Sequence, residues 1–168
     1  MFSMLKQDFS DLSIFQGLDQ GELRLIDPLI ELCAFEKDVK IFDQGQMATF
    51  LFILLKGEVL VRFKPYDGPE LTVARILPGG VFGWSAAMGH SSYTSGAIAT
   101  ADSEVARIRG DRLHQLCQDH PEIGVVILER LAGVIAERLR STYNQILTIL
   151  TTGMDLNEEC RRRLPKNE

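Results

Sequence analysis

The sequence predicts a mainly β domain in which a roll of short strands lies between helical N-terminal turns and a long C-terminal helix. From Glu31 to Arg109, short apolar runs are punctuated by glycine, the pattern of a β-sandwich or barrel. From Asp111 onward the apolar spacing becomes the three-and-four spacing of a helix. A chain of 168 residues, 45% hydrophobic and 24% charged, holds one such domain with a complete core. The expected division is N-terminal helices at 8–30, the roll at 31–110 and helices at 111–151, one domain over 1–152 followed by a tail at 153–168.

In the N-terminal segment, Asp19 followed three residues later by Glu22 has the form of a capping box, opening a helix through Leu23, Leu25 and Ile26 that breaks near Pro28. The clearest strand is Glu58 to Lys64, where Val59, Val61 and Phe63 alternate with Glu58, Leu60, Arg62 and Lys64. Lys56-Gly57 joins it tightly to the preceding run, Phe50 to Leu55. Pro65, Asp67-Gly68 and Pro69 mark a turn before strand character resumes at Leu71 to Ile76. Ile98 to Thr100 and Glu104 to Ile108 supply the last strands. Asp111 is then placed to cap a short helix, and Pro121 to open the long one, which is expected to run to about Thr151.

A net charge of −5 disfavours a nucleic-acid partner held by general electrostatics, and Arg161-Arg162-Arg163 reads as a solvated tail. Lys6, Gln7 and Asp8 interrupt the apolar residues after Met1, so no signal-peptide core forms and a cytoplasmic location is expected. No Asp, Glu, Lys or Arg occurs from Ile76 to Ala101, yet Pro78 and five glycines exclude a membrane span there. Cys33, Cys117 and Cys160 are odd in number and far apart, which suggests neither a disulfide framework nor a thiolate metal cluster. His90, His114 and His120 are too scattered for a metal-dependent β-roll enzyme, and no nucleophile-base arrangement is evident, so no catalytic activity and no metal are expected.

Ile41-Phe42-Asp43-Gln44-Gly45, followed by Leu51-Phe52-Ile53-Leu54-Leu55-Lys56-Gly57-Glu58-Val59, resembles the opening strands of cyclic nucleotide-binding domains. With Pro78-Gly79-Gly80-Val81-Phe82-Gly83, the Ala106-Arg107-Ile108 strand and the helix at Pro121, the resemblance covers about residues 10 to 150. It implies a jelly-roll-like β-roll, with a layout similar to the catabolite activator protein superfamily. In that superfamily a helix-turn-helix domain follows the dimer helix. Only Gly153 to Glu168 remains here, so a stand-alone variant without direct DNA recognition is expected.

The resemblance also implies a site. In nucleotide-binding members a Glu after the Phe-Gly pair holds the ribose, and an Arg further on neutralises the cyclic phosphate. This sequence keeps Phe82, Gly83 and Ala86 but has Trp84 at the Glu position, with Tyr93 at or beside the Arg position and Thr94 and Ser95 following. Loss of the Arg clamp removes about two charge-assisted hydrogen bonds, costing ~2–4 decades of affinity for cAMP or cGMP. Backbone N–H groups near Ser85 to Ala87 could form an anion nest at a helix start. Trp84 and Tyr93 have two readings: stacking faces for a different ligand, helped by the hydroxyls of Ser85, Tyr93, Thr94 and Ser95, or rings that fill a vacant pocket.

Along the last helix Val125, Leu128, Ala132, Ile135, Leu139, Thr142, Ile146 and Ile149 form a seam stepped by three and four, which predicts a parallel homodimer. A second stripe, Ile127, Leu131 and Val134, is placed to cover the roll. Thr142 stands where the resemblance puts a hydroxyl for the purine base; bonding its own helix carbonyl is the other reading. The function expected is a non-enzymatic dimeric sensor, with a cyclic nucleotide or another small molecule as ligand and an unknown protein as partner. A ligand-free homodimeric scaffold is the alternative.

Overall fold

In the computed structural model, residues 9–162 are described, with side-chain surroundings given for 9–144 and Leu147. The chain divides into two compact units, Met1–Ala132 and Gly133–Glu168. The first carries the roll. Its antiparallel strands form two four-stranded sheets among the described residues. One sheet has the order β1 (Ile30–Phe35), β8 (Ser103–Arg109), β3 (Phe50–Lys56), β6 (Val81–Phe82). The other runs β2 (Lys40–Phe42), β7 (Gly96–Ala99), β4 (Val59–Phe63), β5 (Leu71–Ile76).

Side chains alternate across a strand, so β3 can serve two layers at once. Phe52 and Leu54 point into the roll, joining Phe42, Val59, Val61, Ile76, Phe82, Tyr93, Ala97 and Val105 in one buried cluster. Leu51 and Ile53, on the opposite face, are equally buried. The helical segments carry buried residues of their own, Ile14, Phe15, Ile26, Ile123, Ile127 and Leu131. The Ile127 and Leu131 pair is the stripe expected to cover the roll. Val134 follows in the second unit and is half-buried.

Local sequence explains the element boundaries. Asp19 accepts hydrogen bonds from the Gly21 and Glu22 amides while the Glu22 carboxylate accepts from the Asp19 amide, completing the capping box of α1 (Gln20–Ile26). Gly57 turns β3 into β4 with φ at 93°, a left-handed conformation that costs glycine little. A Cβ there would overlap Ser103 Oγ and the Asp102 carbonyl oxygen.

Several boundaries differ from expectation. Phe63 lies at the exposed end of β4, because the register shifts between Val61 and Arg62 and the strand ends at the hairpin. The strand expected from Ile98 begins at Gly96, which pairs with Arg62. Helix α2 spans Gly110–Asp119 with Arg109, not Asp111, in the cap position. Asp111 instead binds the Arg109 guanidinium at 2.8–3.0 Å and the Arg112 amide, and the Arg109 guanidinium holds its carboxyl down to about 2. Helix α3 opens at Pro121 as expected but continues to Arg162, past the end expected near Thr151. Gly153 lowers helix propensity by only about 1 kcal/mol, and no proline follows until Pro165. The compact unit around the roll ends at Ala132, before the boundary expected at 152. Residues 163–168 of the expected tail lie outside the described residues.

Gly57→Ala should lower stability by about 2 kcal/mol or more, from left-handed strain plus the overlap with Ser103, measured as a lower urea midpoint at unchanged slope.

Candidate functional site

The segment that follows the Phe82-Gly83 pair holds the candidate pocket residues. Phe82 lies in β6 opposite Phe52 and is fully buried. Gly83 has φ at 70°, and its Cα faces the Phe50 carbonyl and the Phe52 ring so closely that a Cβ would press on both. From Trp84 to Gly89 the chain runs in successive turns, not in the short helix implied by the resemblance. The Ala86 amide donates to the Gly83 carbonyl at 3.3 Å, Met88 to Trp84 at 3.0 Å and His90 to Ser85 at 2.9 Å. The anion nest expected near Ser85 to Ala87 therefore lacks its Ala86 donor, which the turn consumes.

Tyr93 is buried, as Phe82, Ser85 and Ala86 are, but it is carried by a loop strip. The strip that carries it is laced onto the loop before β3: the Tyr93 amide donates to Gln46 at 2.9 Å, Gly45 to Tyr93 at 2.8 Å and Ala48 to Ser91 at 3.1 Å. This lacing turns the ring inward, leaving Tyr93 4% exposed. The ring stacks on Phe42 with centroids 3.8 Å apart and planes 20° from parallel. Phe42 in turn stacks against Phe52 and Phe82, so four aromatic rings form one pile. The Tyr93 hydroxyl donates to the Phe50 carbonyl at 2.8 Å and accepts from the Phe50 amide at 2.9 Å. Burial raises the Tyr93 pKa above its ordinary value, against the opposing effect of its backbone hydrogen bonds.

Trp84 and Ser95 are half-buried, Ser85 is buried and Thr94 is exposed. Of the two rings singled out in the sequence, Tyr93 is the one built into the core. Two contributors had no signal of their own. Arg107, on β8, lies over the Phe50 ring at 4.1 Å and is held by Glu31 through Nε at 2.9 Å and Nη2 at 2.7 Å. Gly110 opens α2 with its amide on the Thr49 carbonyl at 2.9 Å, and a Cβ there would overlap the Ala86 carbonyl. The alternation of Phe50, Phe52 and Leu54 carries no signal for the Tyr93 contact, because the hydroxyl meets the backbone edge of β3 and not a side-chain face. At the far side of the roll, hydrogen bonds from Arg75 and Thr100 hold Glu58 below the usual carboxylate range.

On α3, the seam residues Val125, Leu128 and Leu139 are 64%, 52% and 67% exposed. Ala132 is also exposed, while Ile135 and Thr142 are half-buried. Thr142 Oγ1 donates to the Arg138 carbonyl four residues back at 3.0 Å. The side chains of Ile146 and Ile149 lie outside the described residues. Among the described residues no group of three His, Cys, Asp or Glu could hold a metal, and no helix is long and apolar enough to cross a membrane.

The profile described as "Cyclic nucleotide-binding domain" matches residues 32–120, more than half of the chain. The chain belongs to the cyclic nucleotide-binding domain family. The CRP-like cAMP-activated global transcriptional regulator of Mycobacterium tuberculosis is 26% identical over 139 residues, covering 83% of this chain and 60% of that protein. The chain thus spans about three-fifths of that relative's length. Two solved structures share the fold: a cyclic nucleotide-binding domain from Methylobacillus flagellatus (TM-score 0.74, 24% identity, 82% of this chain and 80% of that one) and the Thermus thermophilus catabolite activator protein (TM-score 0.67, 24% identity, 83% and 63%). The expected β-roll with flanking helices and a long C-terminal helix is therefore the observed fold of this family member.

Removing the Tyr93 hydroxyl strands a backbone N–H and C=O away from water. Tyr93→Phe should cost about 1–3 kcal/mol in chemical denaturation. Because the folded-state pKa is raised, the unfolded chain ionises first; stability should fall as pH climbs past ~10, and more steeply in the parent than in Tyr93→Phe.

Proposed function

We propose that this chain is a non-enzymatic, homodimeric regulatory module of the cyclic nucleotide-binding family that signals through protein contacts and lacks the ordinary cyclic-phosphate clamp. The observation that carries the proposal is the placement of Tyr93. The resemblance assigns its position, or the one beside it, to the phosphate-neutralising arginine, and here the side chain is an inward-facing member of the aromatic pile. A neutral phenol with both hydrogen-bonding roles satisfied by Phe50 has nothing to offer a phosphate. The stretch from Ile76 to Ala101 supplies no Lys or Arg in its place.

Dimerisation is supported by the α3 seam. Val125, Leu128 and Leu139 are large apolar side chains in water at coiled-coil spacing, and a second copy would bury them. The relatives' printed names describe transcriptional regulators and a catabolite activator, which supports a regulatory role over a catalytic one and a location in the cytoplasm. A protein partner would read the roll or α3 directly.

A second reading, a sensor for a different small molecule, is favoured by one observation: Trp84 and Ser95 remain half-buried, and Thr94 exposed, next to a pile that is already complete. These groups offer a ring face and hydroxyls without a cation, which suits a planar ligand of little charge.

Trp84, the single tryptophan, reports on both readings. Titration with cAMP or cGMP should give no saturable change in its emission below about 100 μM, and a Kd near 1 μM would overturn the clamp-less proposal. Sedimentation should show a dimer that Leu128→Glu with Leu139→Glu shifts to monomer, raising the dimer Kd by about a hundredfold or more. A parent chain that stays monomeric at high concentration would overturn the dimer.

A further inference from the structure

We propose that Tyr93 is an internal clamp that fixes the root of helix α2 in the absence of any ligand. The clamp rests on the reading that position 93 no longer serves a phosphate, and it gives that position a new task.

Phe50 stands two residues before Phe52, whose partner across the sheet is Phe82. Its N–H and C=O therefore point along the same edge of β3 as those of Phe52. The partner strand does not reach them, because β6 ends at Phe82 and the chain turns away at Gly83. The Tyr93 hydroxyl takes the place of the missing strand residue, donating to one group and accepting from the other at 2.8 and 2.9 Å. A single side chain thus extends the ladder by one rung and ties the 91–95 strip to the first residue of β3.

The same point anchors α2. Phe50 is the register partner of Arg109, the last residue of β8, and the Gly110 amide donates to the carbonyl of neighbouring Thr49. From the other side the Ala86 carbonyl sits against Gly110 where no Cβ would fit. Both ends of the segment from Trp84 to Ser95 consequently grip one junction, Thr49-Phe50 against Arg109-Gly110. Tyr93 holds it through β3, and Ala86 holds it by direct contact with the first residue of α2. Phe42 stacked on the ring keeps the hydroxyl aimed. A positively charged side chain at position 93 would have had to leave this site for a ligand, whereas the phenol stays.

The test is amide hydrogen exchange on the full chain with no nucleotide added, so a failed clamp and a nucleotide-binding roll give different results. In Tyr93→Phe, exchange should speed up by about tenfold or more at Phe50 and at Gly110 through Leu113, while the β4 and β5 amides keep their protection. Val61→Ala, a core change in the other sheet, should loosen β4 and β5 without singling out Gly110. Unchanged exchange at Gly110 in Tyr93→Phe, or a rise spread evenly over the roll, would overturn the clamp. If Tyr93→Phe does not fold, Gly110→Ala carries the test from the opposite side. Pressing on Ala86 should displace Trp84 and shift its emission maximum, and an emission maximum unmoved from that of the parent would overturn the proposal.

Discussion

A buried phenol that must keep its hydroxyl hydrogen-bonded is the constraint around which the roll is arranged. Once Tyr93 is inside, its O–H needs partners, because an unpaired hydroxyl in an apolar interior costs about 1–3 kcal/mol on mutational scales. Phe50, past the end of the β6 pairing, supplies both a donor and an acceptor. Satisfying the side chain and satisfying the backbone are thus one event. Phe42, Phe52 and Phe82 pack on the ring, so the hydrophobic cluster and the polar bridge depend on the same position.

Within the uncharged stretch from Ile76 to Ala101, burial accounts for the lack of charge at Phe82, Ser85, Ala86 and Tyr93, where an unpaired charge would have to be desolvated, but not at exposed Leu77, Met88 or Thr94. Charges gather on surrounding surfaces instead: Arg107 with Glu31 over Phe50, Arg109 with Asp111 at the start of α2, and Arg75 with Glu58 across the roll. These exposed pairs orient side chains at the margins and contribute little net stability. Where nucleotide-binding relatives by resemblance carry charge, this sequence has Trp84 and, at or beside the second position, Tyr93.

Membership of the cyclic nucleotide-binding family and recognition of a cyclic nucleotide are separate matters for this chain. The first rests on strand order, glycine placement and the matched profile, all properties of the scaffold. The second would rest on a few side chains at the site, and those are the positions that differ. Apart from that site, the chain has a two-sheet roll, a close joint at Gly110 and a helix with exposed apolar residues at coiled-coil spacing.

Much of this was legible in the sequence because local physics decides it. The Asp19 and Glu22 capping box, the Gly57 turn, the Leu71 to Ile76 strand and the Pro121 helix start each follow from a few neighbouring residues, and each is found. The missing cassette charges and the α3 seam were likewise visible as residue types at fixed spacing. The cap of α2 was misread, because Gly110 is held by Thr49 and by its lack of a side chain beside Ala86, contacts made across sixty-one and twenty-four positions of chain. The direction of Tyr93 was beyond the sequence for the same reason. Periodicity says which face of a strand a side chain occupies, but Tyr93 lies in a loop strip, and only lacing onto Gly45, Gln46 and Ala48 turns its ring inward to meet Phe50. The sequence by itself determined the fold and the residue types at the cassette positions; the tertiary structure alone decided that Tyr93 belongs to the core, because the contacts that turn it inward come from residues distant in the chain.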